Sequence, residues 1–407
     1  MIHAEFTKPR VFPWNSARAP EQINRLTEIS DSVNRNMEEE FEIGRVGKMG
    51  FHKKTPSVSY PLTQNECGDM SFFRALANVA NPETGDDSFI DLDDLKKSKV
   101  EISTYLTDAD GIFRGTSYFP KMRVSNFSLD IGDPDAKIAR KFTVVGEDYK
   151  ILDGEYLAFV TGTVVTPGDY SLLLSPDAVA YKSGKYVFDV LRVRSGIVSE
   201  LLEDTTSTYD DNSWRYDVAT KSVIVQDCLA DDIIKVFYMS ATPYTTIWTD
   251  DDSFPKSIYA DQVDILLKVG AGAYTKTYKL QSVSIDATLN REDKKEIGNK
   301  EVVQTNVKSK KVSVKLGQLP DGFTLEEILR GSSAYPYIDA RDLAEDVSLV
   351  IKIYETNDKE TFLMGYQINN LTATTMDGKA AIEEFNTTDN TLESDNLVIS
   401  DEETDLE

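Results

Sequence analysis

Apolar and polar positions alternate along most of this chain at the period of β-strands. The run Leu280-Gln281-Ser282-Val283-Ser284-Ile285 alternates strictly, the mark of a strand with one face on a core. A charged stretch follows at 290–300, and a second alternating run ends at Val312-Ser313-Val314. The pattern predicts two strands joined by a long charged excursion. Thr324 and Glu327 then form a capping box, with Gly331 closing the helix it opens. Residues 347–354 read as a strand, Asn357-Asp358 as a turn, and 362–371 as the returning partner.

The same order of elements occurs earlier. Glu42-Ile43-Gly44 and Ser57-Val58-Ser59 match Glu296-Ile297-Gly298 and Lys311-Val312-Ser313 at one offset, 296 − 42 = 312 − 58 = 254. Asn34-Arg35 and Asn290-Arg291 precede them. Short helical patterns follow, Phe72, Ala75 and Leu76 in one copy and Leu325, Ile328 and Leu329 in the other. Tyr105-Leu106-Thr107 and Phe113 match Tyr354-Glu355-Thr356 and Phe362 at 354 − 105 = 249. Val124-Ser125-Asn126-Phe127-Ser128 matches Ile368-Asn369-Asn370-Leu371-Thr372 at 368 − 124 = 244. Common order and a steadily falling offset mark an internal duplication.

Between the copies, strands are expected at 156–165, 170–174, 185–193 and 233–238, with a hairpin of 214–218 and 222–225. The fold expected is therefore mainly β: two sandwich- or roll-like domains, each with one short helix, plus an inserted all-β module. Its divisions are an N-terminal arm at 1–20, copy one at 21–150, the module at 151–258, copy two at 259–390, and a disordered acidic tail at 391–407.

Charge narrows the function. With 69 acidic against 44 basic residues, the formal net charge is −25, which opposes nucleic-acid binding through phosphate contacts. The longest apolar stretches, such as Val223-Ile224-Val225, are far too short to span a membrane, and residues 1–8 do not read as a secretory signal. Cys67 and Cys228 stand alone, without ligand or redox spacing. The only histidines, His3 and His52, lack the neighbours of a catalytic triad. Neither a zinc HExxH, a phosphate-binding P-loop nor a dinucleotide loop occurs, because Gly270-Ala271-Gly272 sits between two strands. Asp108-Ala109-Asp110-Gly111 and the acidic run 130–135 fall short of a calcium loop and read as turns. No enzymatic activity, cofactor or metal is expected. Lys308 to Lys311 form the one dense basic patch, suited to docking on an acidic neighbour.

A strand, a charged excursion, a returning strand, a short helix and a closing hairpin resemble the tail tube proteins of tailed bacterial and archaeal viruses. The resemblance is carried by 42–44 through 57–59, by 124–128 with Arg140-Lys141-Phe142-Thr143, and in the module by 214–218 and 233–238. It implies a virion protein that polymerises into stacked rings around a DNA channel, assembled in the host cytoplasm. With the fold present twice, it implies rings of three chains with pseudo-six-fold symmetry, in contact with other tail proteins. DNA would pass without specific binding, along a lumen expected to be net negative. The contacts between rings and subunits would fall on Glu38, Glu39, Glu40, Arg45, Glu292, Asp293, Lys294, Lys308, Lys310 and Lys311, with the excursions disordered in the isolated subunit. A sheath, baseplate or decoration protein, or a non-viral surface protein of tandem β-domains, is the alternative.

Overall fold

The computed structural model describes residues 8–14, 20–23, 25–30, 32–34, 37–40, 50–53, 56–77, 89–133, 135–204, 213–243, 256–276, 280–295, 302–318, 347–375 and 388–406. The first part contains β1 (Lys8–Pro13), β2 (Leu26–Ile29), β3 (Ser32–Asn34), β4 (Ser57–Asn65), helix α1 (Ser71–Ala77), β5 (Phe89–Asp91) and helix α2 (Leu92–Lys97). It continues with β6 (Val100–Thr107), β7 (Phe113–Ile131), β8 (Ala139–Gly146) and β9 (Lys150–Asp153). The middle holds β10 (Tyr156–Thr163), β11 (Gly168–Leu173), β12 (Val187–Arg194), β13 (Ser213–Asp217), β14 (Ser222–Cys228) and β15 (Ile233–Ser240). The last part has β16 (Val263–Val269), β17 (Leu280–Lys295), β18 (Val302–Gln318), β19 (Val347–Tyr354), β20 (Phe362–Thr375), β21 (Thr388–Ser394) and β22 (Val398–Ser400). The protein is mainly β.

The strand pairings of the first part recur in the last. In the first, β1 pairs β6, β6 pairs β7, and β7 pairs β9 and β8; β8 pairs β4, and β4 pairs β2 and β3. In the last, β16 pairs β19, β19 pairs β20, and β20 pairs β22 and β21; β21 pairs β18, and β18 pairs β17. Val58 lies opposite Val33, and Val312 opposite Ala287, so both partners keep the offset of 254 (287 − 33 = 312 − 58). Two sequence matches shift. Thr107 pairs Phe113 as Tyr354 pairs Phe362, so Tyr354 corresponds to Thr107 at 354 − 107 = 247 rather than to Tyr105. Tyr60 leads across the sheet to Val144 and Val124, while Val314 leads to Leu392 and Ala373. Val124 therefore corresponds to Ala373 at 373 − 124 = 249, rather than to Ile368. Irregularities in the ladders at 119–122 and 124–126 shift the register that side-chain pattern alone suggests.

The two parts are joined edge to edge. β7 pairs β17, making one antiparallel sheet in the order β2/β3, β4, β8, β7, β17, β18, β21, β20. Among the described residues no strand pairs β20 back onto β2 or β3. One core runs beneath both parts, from Val11 to Ile399. Phe72 and Phe73 of α1 meet Phe142 and Phe127 edge-on or tilted, and Phe127 stacks on Tyr366. Each such buried side chain contributes about 1.5–3 kcal/mol. A buried polar knot crosses the same joint. Arg140 donates to Gln64 Oε1 (2.8 Å) and Glu66 Oε1 (3.1 Å), and Tyr366 donates to Glu66 Oε2 (2.7 Å).

The middle strands have a separate core, including Trp214, Val223, Val225 and Val236. They pack on the first part through Phe12, Trp14, Tyr118 and Leu152 against Leu157, Phe159, Leu191, Phe237 and Met239.

Several boundaries differ from the sequence reading. The arm at 1–20 contributes β1, because Val11 and Phe12 bury on opposite faces into two different cores. Residues 150–153 belong to the first part, since β9 pairs β7. The segment 391–407 is not a disordered tail. β21 and β22 are sheet members, and Leu392, Leu397, Ile399 and Leu406 are buried. Their apolar positions are spaced between charges and so escape a compositional reading. The first part has two short helices rather than one, the second capped by a reciprocal Asp91–Asp94 box. The helix expected at 324–331 lies outside the described residues.

Candidate assembly edges

An edge strand of an antiparallel sheet presents unpaired backbone groups, which makes it a template for another strand. Among the described residues the sheet ends at β3 with β2 on one side; on the other, the β20 residues equivalent to the internal joint lie beyond Thr375, outside the described residues. The internal joint between β7 and β17 shows what covers such an edge. There Phe127 lies opposite Ala287 and Leu129 opposite Ile285. Ala287 is 0% exposed, but Val33, its counterpart in β3, is 37% exposed although it faces the core side opposite Val58. All three residues of β3 are exposed. The same repeat position is thus covered at Ala287 and partly exposed at Val33.

The face of this sheet turned away from the core is rich in hydroxyls: Ser59, Thr63, Thr143, Ser128, Ser284 and Ser313 alternate with buried apolar residues. Among the described side chains it carries Arg123, Lys141, Lys311 and Lys315 beside Glu28, Asp130, Asp286 and Glu393. Lys141 pairs with Asp130 at 2.7 Å and Lys311 with Glu393 at 2.6 Å.

The sequence-predicted contact residues disperse. Glu38, Glu39 and Glu40 lie on a strand, Met37–Glu40, opposite Gly50–Lys53. Arg45 lies outside the described residues. Glu292, Asp293 and Lys294 extend β17, opposite Asn306, Thr305 and Gln304 of β18. The described part of that excursion is thus an outward-running hairpin, ordered by its own ladder, rather than a disordered loop. Lys308 pairs with Glu292 at 3.2 Å along the hairpin. Lys310 reaches Asp93 of α2 at 3.0 Å, and Arg291 donates to the Leu95 and Lys96 carbonyls at the end of the same helix. Of the basic patch, Lys310 crosses to an acidic residue of the other repeat, while Lys308 and Lys311 pair within their own, with Glu292 and Glu393.

Two acidic turns are accounted for by local bonding. Asp108 accepts from the Asp110 and Ile112 amides (both 3.0 Å) and from Arg114, and Asp133 accepts from the Asp135 amide (2.9 Å). Among the described residues no helix is long and apolar enough to cross a membrane. Both cysteines are buried free thiols.

The seam between the first part and the module is also charged. Glu101 accepts from Trp14 Nε1 and Tyr118 Oη, both at 2.7 Å, and burial, with the nearby Asp189 charge, pushes its carboxyl up to about 7. Lys235 donates to the Pro13 carbonyl at 2.6 Å beneath Phe159, and burial pulls its amine down to about 7. The short apolar strands around these groups hid them from a motif search, because they are single polar residues within hydrophobic runs.

No protein-family model and no curated protein matches the chain. Among solved structures, a chain from the cryo-EM structure of the anti-feeding prophage (AFP) baseplate, 6-fold symmetrised, is similar in part, at 12% identity and a TM-score of 0.26. The alignment covers 36% of this chain and 91% of that one. The likeness is too slight to carry a conclusion about fold or function.

Proposed function

We propose that this chain is a self-assembling structural protein of a viral or virus-derived tail, closing into rings that stack as a tube, without enzymatic activity. The observation that carries the reading is the exposure of Val33. Two repeats are joined through β7 and β17, where Ala287 is covered, while Val33, its counterpart in β3, is 37% exposed. Repeating the internal joint between chains adds a first repeat after every second repeat. Rings of three chains would combine three eight-stranded sheets into a barrel of about 24 strands, roughly 115 Å around at about 4.8 Å per strand before tilt. Barrels with fewer strands already leave aqueous channels. A hydroxyl-rich wall with internally matched charges suits a passing duplex, because each unmatched cation on the wall would add a phosphate contact and hold it. The carboxylate-lined lumen is replaced in this reading by a neutral one.

Val33→Lys tests the edge. The side chain is already partly exposed in the single chain, so the variant should fold with an unchanged circular dichroism spectrum and remain monomeric where the wild type assembles. Assembly of Val33→Lys at wild-type concentrations would remove the basis for the reading.

A further inference from the structure

The module has two ends. At one, Tyr156 of β10 lies opposite Ser240 of β15, where the chain enters and leaves. The same ladder ends at Thr163 opposite Ile233, 163 − 156 = 7 steps on, or about 23 Å at about 3.3 Å per residue. Three turns meet at this far end: 164–168 after β10, Ser195-Gly196 between β12 and the strand Ile197–Glu200, and 229–232 between β14 and β15. They are bonded to one another. Val164 donates its amide to the Asp232 carbonyl (2.8 Å), and its own carbonyl accepts from the Asp231 amide (2.9 Å). Arg194 donates to both carboxylate oxygens of the buried Asp232 (2.9 and 2.6 Å) and to the Asp227 carbonyl (2.9 Å). Asp232 also accepts from the Leu229 amide (2.7 Å). Ser195, Asp227 and Asp231 hold left-handed backbone, with φ of +50°, +48° and +67°, which residues with side chains seldom adopt.

What this frame carries is aliphatic. Val165 is 85% exposed, Ile197 70% and Leu229 50%, one at each turn. None of them belongs to the seam with the first repeat, which uses Leu157, Phe159, Leu191, Phe237 and Met239. One exposed aliphatic residue means little, but three on turns bonded to one another form a patch. Its shoulders are acidic. Segments 164–169, 194–197 and 227–232 hold one arginine against four aspartates, 1 − 4 = −3, and Asp169, Asp227 and Asp231 are exposed.

Shape and charge select the occupant. A stable protein partner calls for a contact of about 800 Å² per side, whereas here three aliphatic points stand among exposed polar neighbours. A second copy of a chain at −25 would set acid against acid, and anionic lipid is opposed on the same ground. A zwitterionic bilayer suits both features. Its outermost group is the quaternary ammonium of choline, which matches the aspartates, and its hydrocarbon begins just beneath, where apolar side chains are taken up. We propose that the far end of the module is a lipid-surface contact, in which Val165, Ile197 and Leu229 enter a zwitterionic bilayer while Asp169, Asp227 and Asp231 lie among its choline groups. The chain lies on the bilayer and does not span it. Three side chains make a weak contact, so firm attachment needs many copies side by side.

Vesicle capture tests it. The full chain is fixed through an N-terminal tag as a dense layer on a sensor, which supplies many copies whether or not rings form. Vesicles of phosphatidylcholine, alone or mixed with phosphatidylserine, are passed over it. The layer should hold the phosphatidylcholine vesicles, and hold fewer as phosphatidylserine is added. Val165→Asp, Ile197→Asp and Leu229→Asp should each weaken capture about tenfold or more, with an unchanged circular dichroism spectrum. Val165→Thr, of the same shape, should act in the same direction. Leu173→Asp, at a leucine 64% exposed toward the other end of the module, should leave capture unchanged. No capture by the wild-type layer, the result expected if the tips seat in a protein pocket, would overturn the proposal. Tip variants that capture as the wild type does, or a preference for phosphatidylserine, would overturn it equally. A chain that stays monomeric in solution would count against the ring and leave this contact standing.

Discussion

Arg140 has no contact with solvent, and its guanidinium is held by Gln64 and by Glu66, which in turn accepts the Tyr366 hydroxyl from the second repeat. Such a knot stabilises only when complete, since removing one member strands the other charge in the core. Arg140→Ala should therefore destabilise the chain by about 3–5 kcal/mol, and Tyr366→Phe by about 1–3 kcal/mol, measured by urea unfolding. Lys235 gives a pH dependence of definite sign. Its folded pKa lies below 10.5, at about 7, so ionisation of the unfolded chain opposes folding as pH falls through that window. Glu101 acts in the opposite sense, raised from 4.5 to about 7, and its contribution falls as pH rises between those values. Lys235→Met should flatten the slope of stability between pH 10 and 7, which in the wild type approaches about 1.4 kcal/mol per pH unit. An unchanged slope in urea titrations at several pH values would remove Lys235 as its source.

At the scale of elements, alternation carried much of the reading. The hairpin of β13 and β14 and the strands β18, β19 and β20 stand where the period of two puts them, and the offset of 254 survives as the pairing of Val58 and Val312. What escaped is physical in origin. β1 buries both faces, so it does not alternate, and α2 is only six residues long, too short for a helical period. The exposure of Val33 and Ile151 was illegible because a sequence lists apolar residues without saying which neighbours cover them. The hairpin of β17 and β18 outruns the sheet, and in the proposed tube it is the element that reaches the next ring. Replacing residues 294–304 by Asn-Gly, to close the paired Asp293 and Thr305 with a two-residue turn, should leave a folded chain that forms rings but no tubes in negative stain. Normal tubes from that variant would remove the stacking role.

At the scale of the whole molecule, the chain is two repeats joined at two seams, β7 to β17 and β5 to β22, with a module packed on the first repeat. At the positions equivalent to these seams, in β3 and β9, the core-facing Val33 and Ile151 are exposed. A head-to-tail repeat with complementary free ends either closes into a ring or runs on as a filament. The excess of 69 acidic over 44 basic residues makes single chains repel one another. Cryo-EM of the purified wild-type protein at assembling concentration tests this account most directly. The predicted image is a ring of three chains with six similar repeats around one continuous inner sheet, in which β20 of one chain pairs β3 of the next. Particles that remain single chains, or that associate while leaving β3 and β20 bare, would contradict it.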